Sequence, residues 1–133
     1  MISGIRGIFI WRGDDYIDVD VHGVTYQMQV SQETFRLLGG ADALGSDVAL
    51  ATSLQVRESS MTLYGFFRFQ DRDAFHALLE VDGVGPHLAM IVLAAYNVEE
   101  LKNIIQDQRI VALTKISGIG KAKALKLLHD LTL

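Results

Sequence analysis

Two short stretches of this 133-residue chain combine residue type and spacing in a way that points to chemistry: Gly83-Val84-Gly85-Pro86-His87 and, 35 residues on, Gly118-Ile119-Gly120-Lys121. Two glycines around a β-branched residue make a tight turn that another molecule can approach closely. A helix that starts directly after the second glycine presents unpaired N–H groups and the positive end of its dipole. Such a place binds anions, and phosphate is the natural ligand. The expected donors are the backbone amides of Gly83, Val84, Gly85, His87, Gly118, Ile119, Gly120 and Lys121, with Lys121 and Lys123 adding charge. Contacts of this kind carry no base information, so binding is expected to be independent of sequence. The competing reading is a pair of helical turns that only pack.

The two stretches belong to an internal repeat. Shifting the chain by 35 residues superposes Leu78, Gly83, Gly85, Ala89 and Leu93 on identical residues at 113, 118, 120, 124 and 128. Val81 and Val84 meet Ile116 and Ile119. Each copy therefore reads as helix, glycine hairpin, helix, with Val84 or Ile119 plugging the space between the helices. One Gly-x-Gly is weak evidence, whereas two copies with matching flanks are specific. This pattern resembles the helix-hairpin-helix motif of DNA-binding proteins, and two hairpins in one module can grip both strands across a minor groove.

The elements that must position the hairpins follow from periodicity. The first half alternates as strands do: Ile2–Trp11, Tyr16–Val21, Val24–Val30, Val48–Val56 and Met61–Phe67. His22-Gly23 marks a hairpin turn, and Ser31 is placed to cap a short helix through Leu38 that Gly39-Gly40 ends. Five strands and a short helix fit a small closed barrel of OB type, and a plain antiparallel sandwich fits the period almost as well. The second half reads as helices over Asp71–Val81, Pro86–Tyr96, Val98–Gln106, Arg109–Lys115 and Lys121–Leu131. The fold expected is α+β, with a barrel over residues 1–64 and a helical domain over 65–133.

Composition bounds the rest. The chain is 50% hydrophobic and 21% charged, with mean hydropathy +0.25, which is too apolar for disorder. Its net charge of −4 excludes a uniformly basic coat. Residues 1–64 hold four basic and eight acidic side chains; residues 109–130 hold Arg109, Lys115, Lys121, Lys123 and Lys126 against Asp130 alone. The positive charge is concentrated around the second hairpin. The absence of cysteine excludes disulfides, thiolate zinc sites and a cysteine nucleophile. No apolar run approaches the ~20 residues of a membrane span and no export signal opens the chain, so a cytoplasmic location and no membrane partner are expected.

The match extends beyond the repeat. The opening Met1-Ile2 and Arg6-Gly7-Ile8, the hairpin Gly23-Val24 and Tyr26, the run Val56-Arg57-Glu58, and Leu63-Tyr64-Gly65-Phe66 resemble the RuvA family in one register over essentially the whole chain. The resemblance implies an OB barrel that builds a fourfold tetramer, or an octamer of two, and a tandem helix-hairpin-helix domain. Four such domains would hold the arms of a square four-way DNA junction for the RuvB ATPase, in recombination and repair. It implies a non-catalytic subunit; no cofactor is expected, and whether the hairpin carbonyls hold a monovalent cation stays open. It also implies an acidic pin between the last two barrel strands, where Arg57, Glu58 and Ser59 stand. Four carboxylates near the crossover would repel phosphates and hold strands apart. Glu58 matches the first pin acid; Ser59 replaces the second, which weakens the pin. The alternative for Glu58 is a solvated turn charge.

Two further departures stand out. His87 occupies a place where the family commonly has Lys, implying a weaker or more pH-sensitive first hairpin, and Ala122 replaces a second basic residue. The third domain that contacts RuvB in the family is absent from these 133 residues, whether by nature or by truncation. Junction binding is then expected to survive and motor coupling to be lost.

Other residues carry blander readings. His22, His76, His87 and His129 lack metal spacing, and Asp14, Asp15, Asp18 and Asp20 read as a solvated strand face and turn. Phe9, Trp11 and Tyr16 can stack bases, but barrel core is the expectation, as it is for Met28, Met61 and Met90. No nucleophile constellation or nucleotide-binding Gly-Lys-Ser/Thr motif is present. A helix-hairpin-helix glycosylase needs a catalytic Asp well downstream of the hairpin, and only Asp130 follows Gly120. Two functions remain: recognition of four-way junctions by an oligomer, or a generic duplex-binding or protein-docking module built on a barrel scaffold.

Overall fold

The alternation in Tyr16–Val21 becomes a strand whose Ile17 and Val19 turn inward and are fully buried, while Asp18 and Asp20 take the other face. A computed structural model describes residues 1–133, which divide into two units, Met1–Arg72 and Asp73–Leu133. In the first, β1 (Gly4–Arg12), β2 (Tyr16–Val21), β3 (Val24–Gln29), β4 (Asp47–Val56) and β5 (Met61–Phe66) close into a barrel in the order β1-β2-β3-β5-β4. All neighbours are antiparallel except β3 and β5, which meet in parallel at Gln29 and Tyr64. That parallel seam and the return of β4 to β1 make a five-stranded closed barrel and dispose of the sandwich alternative.

Local chemistry explains the turns. His22 and Gly23 both have positive φ, 51° and 93°, as a two-residue hairpin between right-twisted strands requires. The Gly23 N–H donates to Asp20 Oδ1 at 3.1 Å. Helix α1 (Gln32–Leu37) begins at Ser31, whose Oγ accepts from the Thr34 N–H at 3.0 Å. The helix lays Phe35 on the barrel core, edge-on to Phe9 with centroids 6.1 Å apart. The Arg12 guanidinium lies 4.0 Å from the Phe35 ring centroid, a cation–π contact that covers the aromatic edge of the core.

Two expectations about this unit are overturned. Trp11 is not core; it is 59% exposed. Pairing runs from Phe9 opposite Val19 directly to Trp11 opposite Asp18, so Ile10 is an extra residue in β1. This bulge breaks the alternation, and Ile10 and Trp11 both face outward. Met61 is 71% exposed because it opens β5 opposite the exposed Val56, beyond the reach of the core. Phe9 and Met28 are fully buried, and Tyr16 and Met90 are half-buried.

The second unit is helical. It contains most of α2 (Phe69–Leu79), then α3 (Pro86–Ala95), α4 (Val98–Gln106), α5 (Ile110–Thr114) and α6 (Lys121–Asp130). Phe75, Leu78, Val92, Leu101, Ile104, Leu113 and Leu127 fill its core. Asn97 opens α4 with a capping box: its side chain accepts from the Glu100 N–H at 2.8 Å, and Glu100 Oε1 accepts from the Asn97 N–H at 3.1 Å. The Tyr96 hydroxyl donates to the Ala112 carbonyl at 2.9 Å, tying the end of the first motif to the start of the second. No helix is long and apolar enough to cross a membrane.

Candidate functional site

The two glycine hairpins are built alike, bond for bond. In the first, the Val81 N–H donates to the Leu78 carbonyl and the Val84 N–H to the Val81 carbonyl, both at 3.1 Å; in the second, Ile116 to Leu113 and Ile119 to Ile116 repeat this at 3.1 Å. Gly83 and Gly118 reverse the chain in the left-handed region, at φ 84° and 89°, where a side chain would be strained. Val84 and Ile119 are buried within the turns, and Leu78 and Leu113 in the preceding helices are fully buried. Ala89 and Ala124 bury completely and let the second helix of each motif pack closely.

Each second helix starts on a glycine cap. Gly85 and Gly120 are extended (φ −92° and −87°), and their carbonyls accept from the Ala89 and Ala124 N–H groups at 2.9 Å. Neither supplies a side-chain cap, so the amides of the first turn keep no acceptor within the chain. At Gly120 nothing in the protein demands glycine. Its backbone angles suit any residue, and a Cβ would meet no atom within 4 Å. What the missing side chain leaves is room for approach from outside, beside free N–H groups. An anion fits this arrangement by charge and by hydrogen bonding.

The hairpins differ in charge. Pro86 is buried at the first position of α3 and has no N–H, whereas its counterpart Lys121 is exposed and contributes both an amide and an ammonium. His87 is exposed at the next position. Its counterpart, Ala122, is exposed at the second position of α6, so its backbone N–H lies in the same uncapped first turn. The 35-residue offset of the repeat pairs the two.

The copies also cross. A Cβ at Gly83 would lie 3.6 Å from Lys123 Cε, and a Cβ at Gly118 would lie 3.5 Å from Leu88 Cδ1. Each second helix thus packs a side chain over the other motif's hairpin, and Leu88 and Lys123 are equivalent in the repeat. Lys126 Nζ stands 3.7 Å from Asp82 Oδ2 in the same crossing.

Glu58 stands in the barrel unit, in the exposed turn between β4 and β5. The Arg57 N–H donates to the Ser60 carbonyl at 2.8 Å, closing the turn with Glu58 and Ser59 at its tip. Nowhere in the chain do three His, Asp or Glu side chains converge as metal ligands.

Comparison with known proteins assigns both units. A family model described as the RuvA N terminal domain matches residues 1–65, and one described as a SAM-like helix-hairpin-helix tandem matches 75–131. The chain is 37% identical over 131 residues to a Cellvibrio japonicus protein named Holliday junction branch migration complex subunit RuvA, covering 98% of this chain and 62% of that one. The chain belongs to the RuvA family. RuvA subunits of the same name from Mycobacterium ulcerans and Mycobacterium tuberculosis are 38% and 37% identical over 98% of this chain, covering 64% and 65% of theirs. The chain thus spans less than two thirds of the length of these RuvA relatives. The family accounts for the closed barrel followed by paired hairpins, and it places Glu58 in the RuvA N-terminal domain.

Proposed function

We propose that this chain is a non-catalytic DNA-binding subunit that recognises four-way (Holliday) junctions. The observation that carries the reading is the duplicated hairpin: two glycine-capped helix starts with free amides, one of them flanked by unpaired lysines, in a chain that is acidic overall. The amides of Gly83, Val84, Gly85, His87, Gly118, Ile119, Gly120 and Lys121 hold phosphates, and Lys121 and Lys123 supply charge. The barrel assembles four chains around the junction centre. Each tandem then grips one arm, and junction specificity comes from four arms being held together. Glu58 from each chain faces the crossover, where negative charge disfavours phosphate crowding and keeps strands apart.

The relatives named as subunits of a Holliday junction branch migration complex support this reading. In that role the open, square junction is presented to a RuvB-type ATPase. Sedimentation of the chain with an immobile four-way junction tests the assembly. Four or eight chains per junction are expected; one or two chains per junction would contradict it.

A further inference from the structure

We propose that Lys123, although carried by the second motif, supplies the cation for the phosphate held by the first hairpin. The inference rests on the phosphate-binding reading above and divides the work between the two lysines. The first motif has no Lys or Arg of its own from Gly83 to Ala95, and Pro86 removes one amide from its helix start. Lys123 meets that deficit in space. Its Cε lies 3.6 Å from where a Cβ would stand on Gly83, and the ammonium is one bond beyond.

Three observations separate Lys123 from its neighbours. Lys123 is half-buried, as a stem packed across the hairpin should be, whereas Lys121 and Lys126 are exposed. Lys126 already faces a carboxylate, with its Nζ 3.7 Å from Asp82 Oδ2, while Lys123 has no ion pair. The repeat supplies a control. Leu88 makes the equivalent crossing over Gly118 with an apolar side chain, so packing there does not need an ammonium. At position 123 the same stem carries a charge that packing does not use.

The test is phosphate neutralisation on a four-way junction, with single methylphosphonates placed in turn along one arm. Wild-type binding should weaken roughly three- to tenfold at the phosphates each hairpin holds. Lys123→Met keeps an unbranched stem over Gly83, and Lys123→Leu installs the residue the other copy uses; circular dichroism confirms the fold of both. In either variant, one set of phosphates should become less sensitive to neutralisation, the backbone amides keeping the remainder. In Lys121→Ala a different set should, and Lys123→Arg should restore the wild-type pattern. The proposal is overturned if both lysines govern the same phosphates, or if the Lys123 variants leave every phosphate as sensitive as before. A wild-type chain insensitive at every position would instead overturn the phosphate-binding reading itself.

Discussion

Leu88 in α3 lies over Gly118 of the other motif as Lys123 in α6 lies over Gly83, at 3.5 and 3.6 Å from the respective Cβ positions. The two hairpins are therefore related through a crossing in which each second helix covers its partner's turn. Substitutions at equivalent positions should act alike on stability and differently on binding, because the copies share packing but not charge.

The glycines separate folding from binding. Gly83→Ala and Gly118→Ala place a side chain at φ 84° and 89°, while the new methyl meets only ordinary contacts. Each should cost about 1–2 kcal/mol, and the two costs should be similar. At Gly120 the backbone is extended and open. There alanine is a poorer helix cap but loses less unfolded-state entropy, and these effects roughly offset. Gly120→Ala should melt close to wild type and bind DNA more weakly. Denaturant titration beside a binding isotherm checks both, and unimpaired binding by Gly120→Ala would remove close approach as the reason for glycine there.

Lys121 is exposed at the start of α6 and has no ion pair. Lys121→Ala should weaken junction binding and reduce the slope of log K against log salt by about 0.9 for each phosphate the chain no longer neutralises. An unchanged slope would exclude a direct role for the ammonium at a phosphate.

Glu58 is exposed at the tip of the turn between β4 and β5. Glu58→Gln should leave stability unchanged and keep or tighten junction binding, since it removes a charge that repels phosphate. The effect should appear in strand separation, read from a fluorescent base analogue at the crossover. Loss of binding would contradict the pin role.

Asp71, in the first turn of α2, has its carboxyl pushed above the ordinary value by burial, which Arg68 at 3.9 Å only partly opposes. A carboxyl that holds its proton more tightly when folded makes stability fall as pH rises from the ordinary carboxylate value through the raised one. At neutral pH the ionised group therefore carries a burial cost that Asp71→Asn avoids. The variant should melt higher than wild type at pH 7, and the difference should vanish at about pH 3, below the ordinary Asp value.

Much of this architecture is legible residue by residue. The alternation on either side of His22-Gly23 defines β2, β3 and their turn, and Ser31 and Asn97 announce α1 and α4 by their caps. The repeat locates both hairpins because backbone geometry there depends on local glycines. Trp11 and Met61 are not legible in this way. A bulge is decided by the strand paired across from it, and a strand end outruns its core, so neither shows in local alternation. The reach of Lys123 over Gly83 is hidden for the same reason: it joins two repeat copies, and sequence places Lys123 only within its own motif.

The central claim is structure-specific recognition. It is tested most directly by titrating the chain against an immobile four-way junction and against linear duplex of the same arm sequence, at physiological salt with competitor DNA. A junction preference of tenfold or more is the expected result. Equal, weak binding to both would contradict junction recognition and leave a hairpin module that binds duplex DNA without regard to its shape.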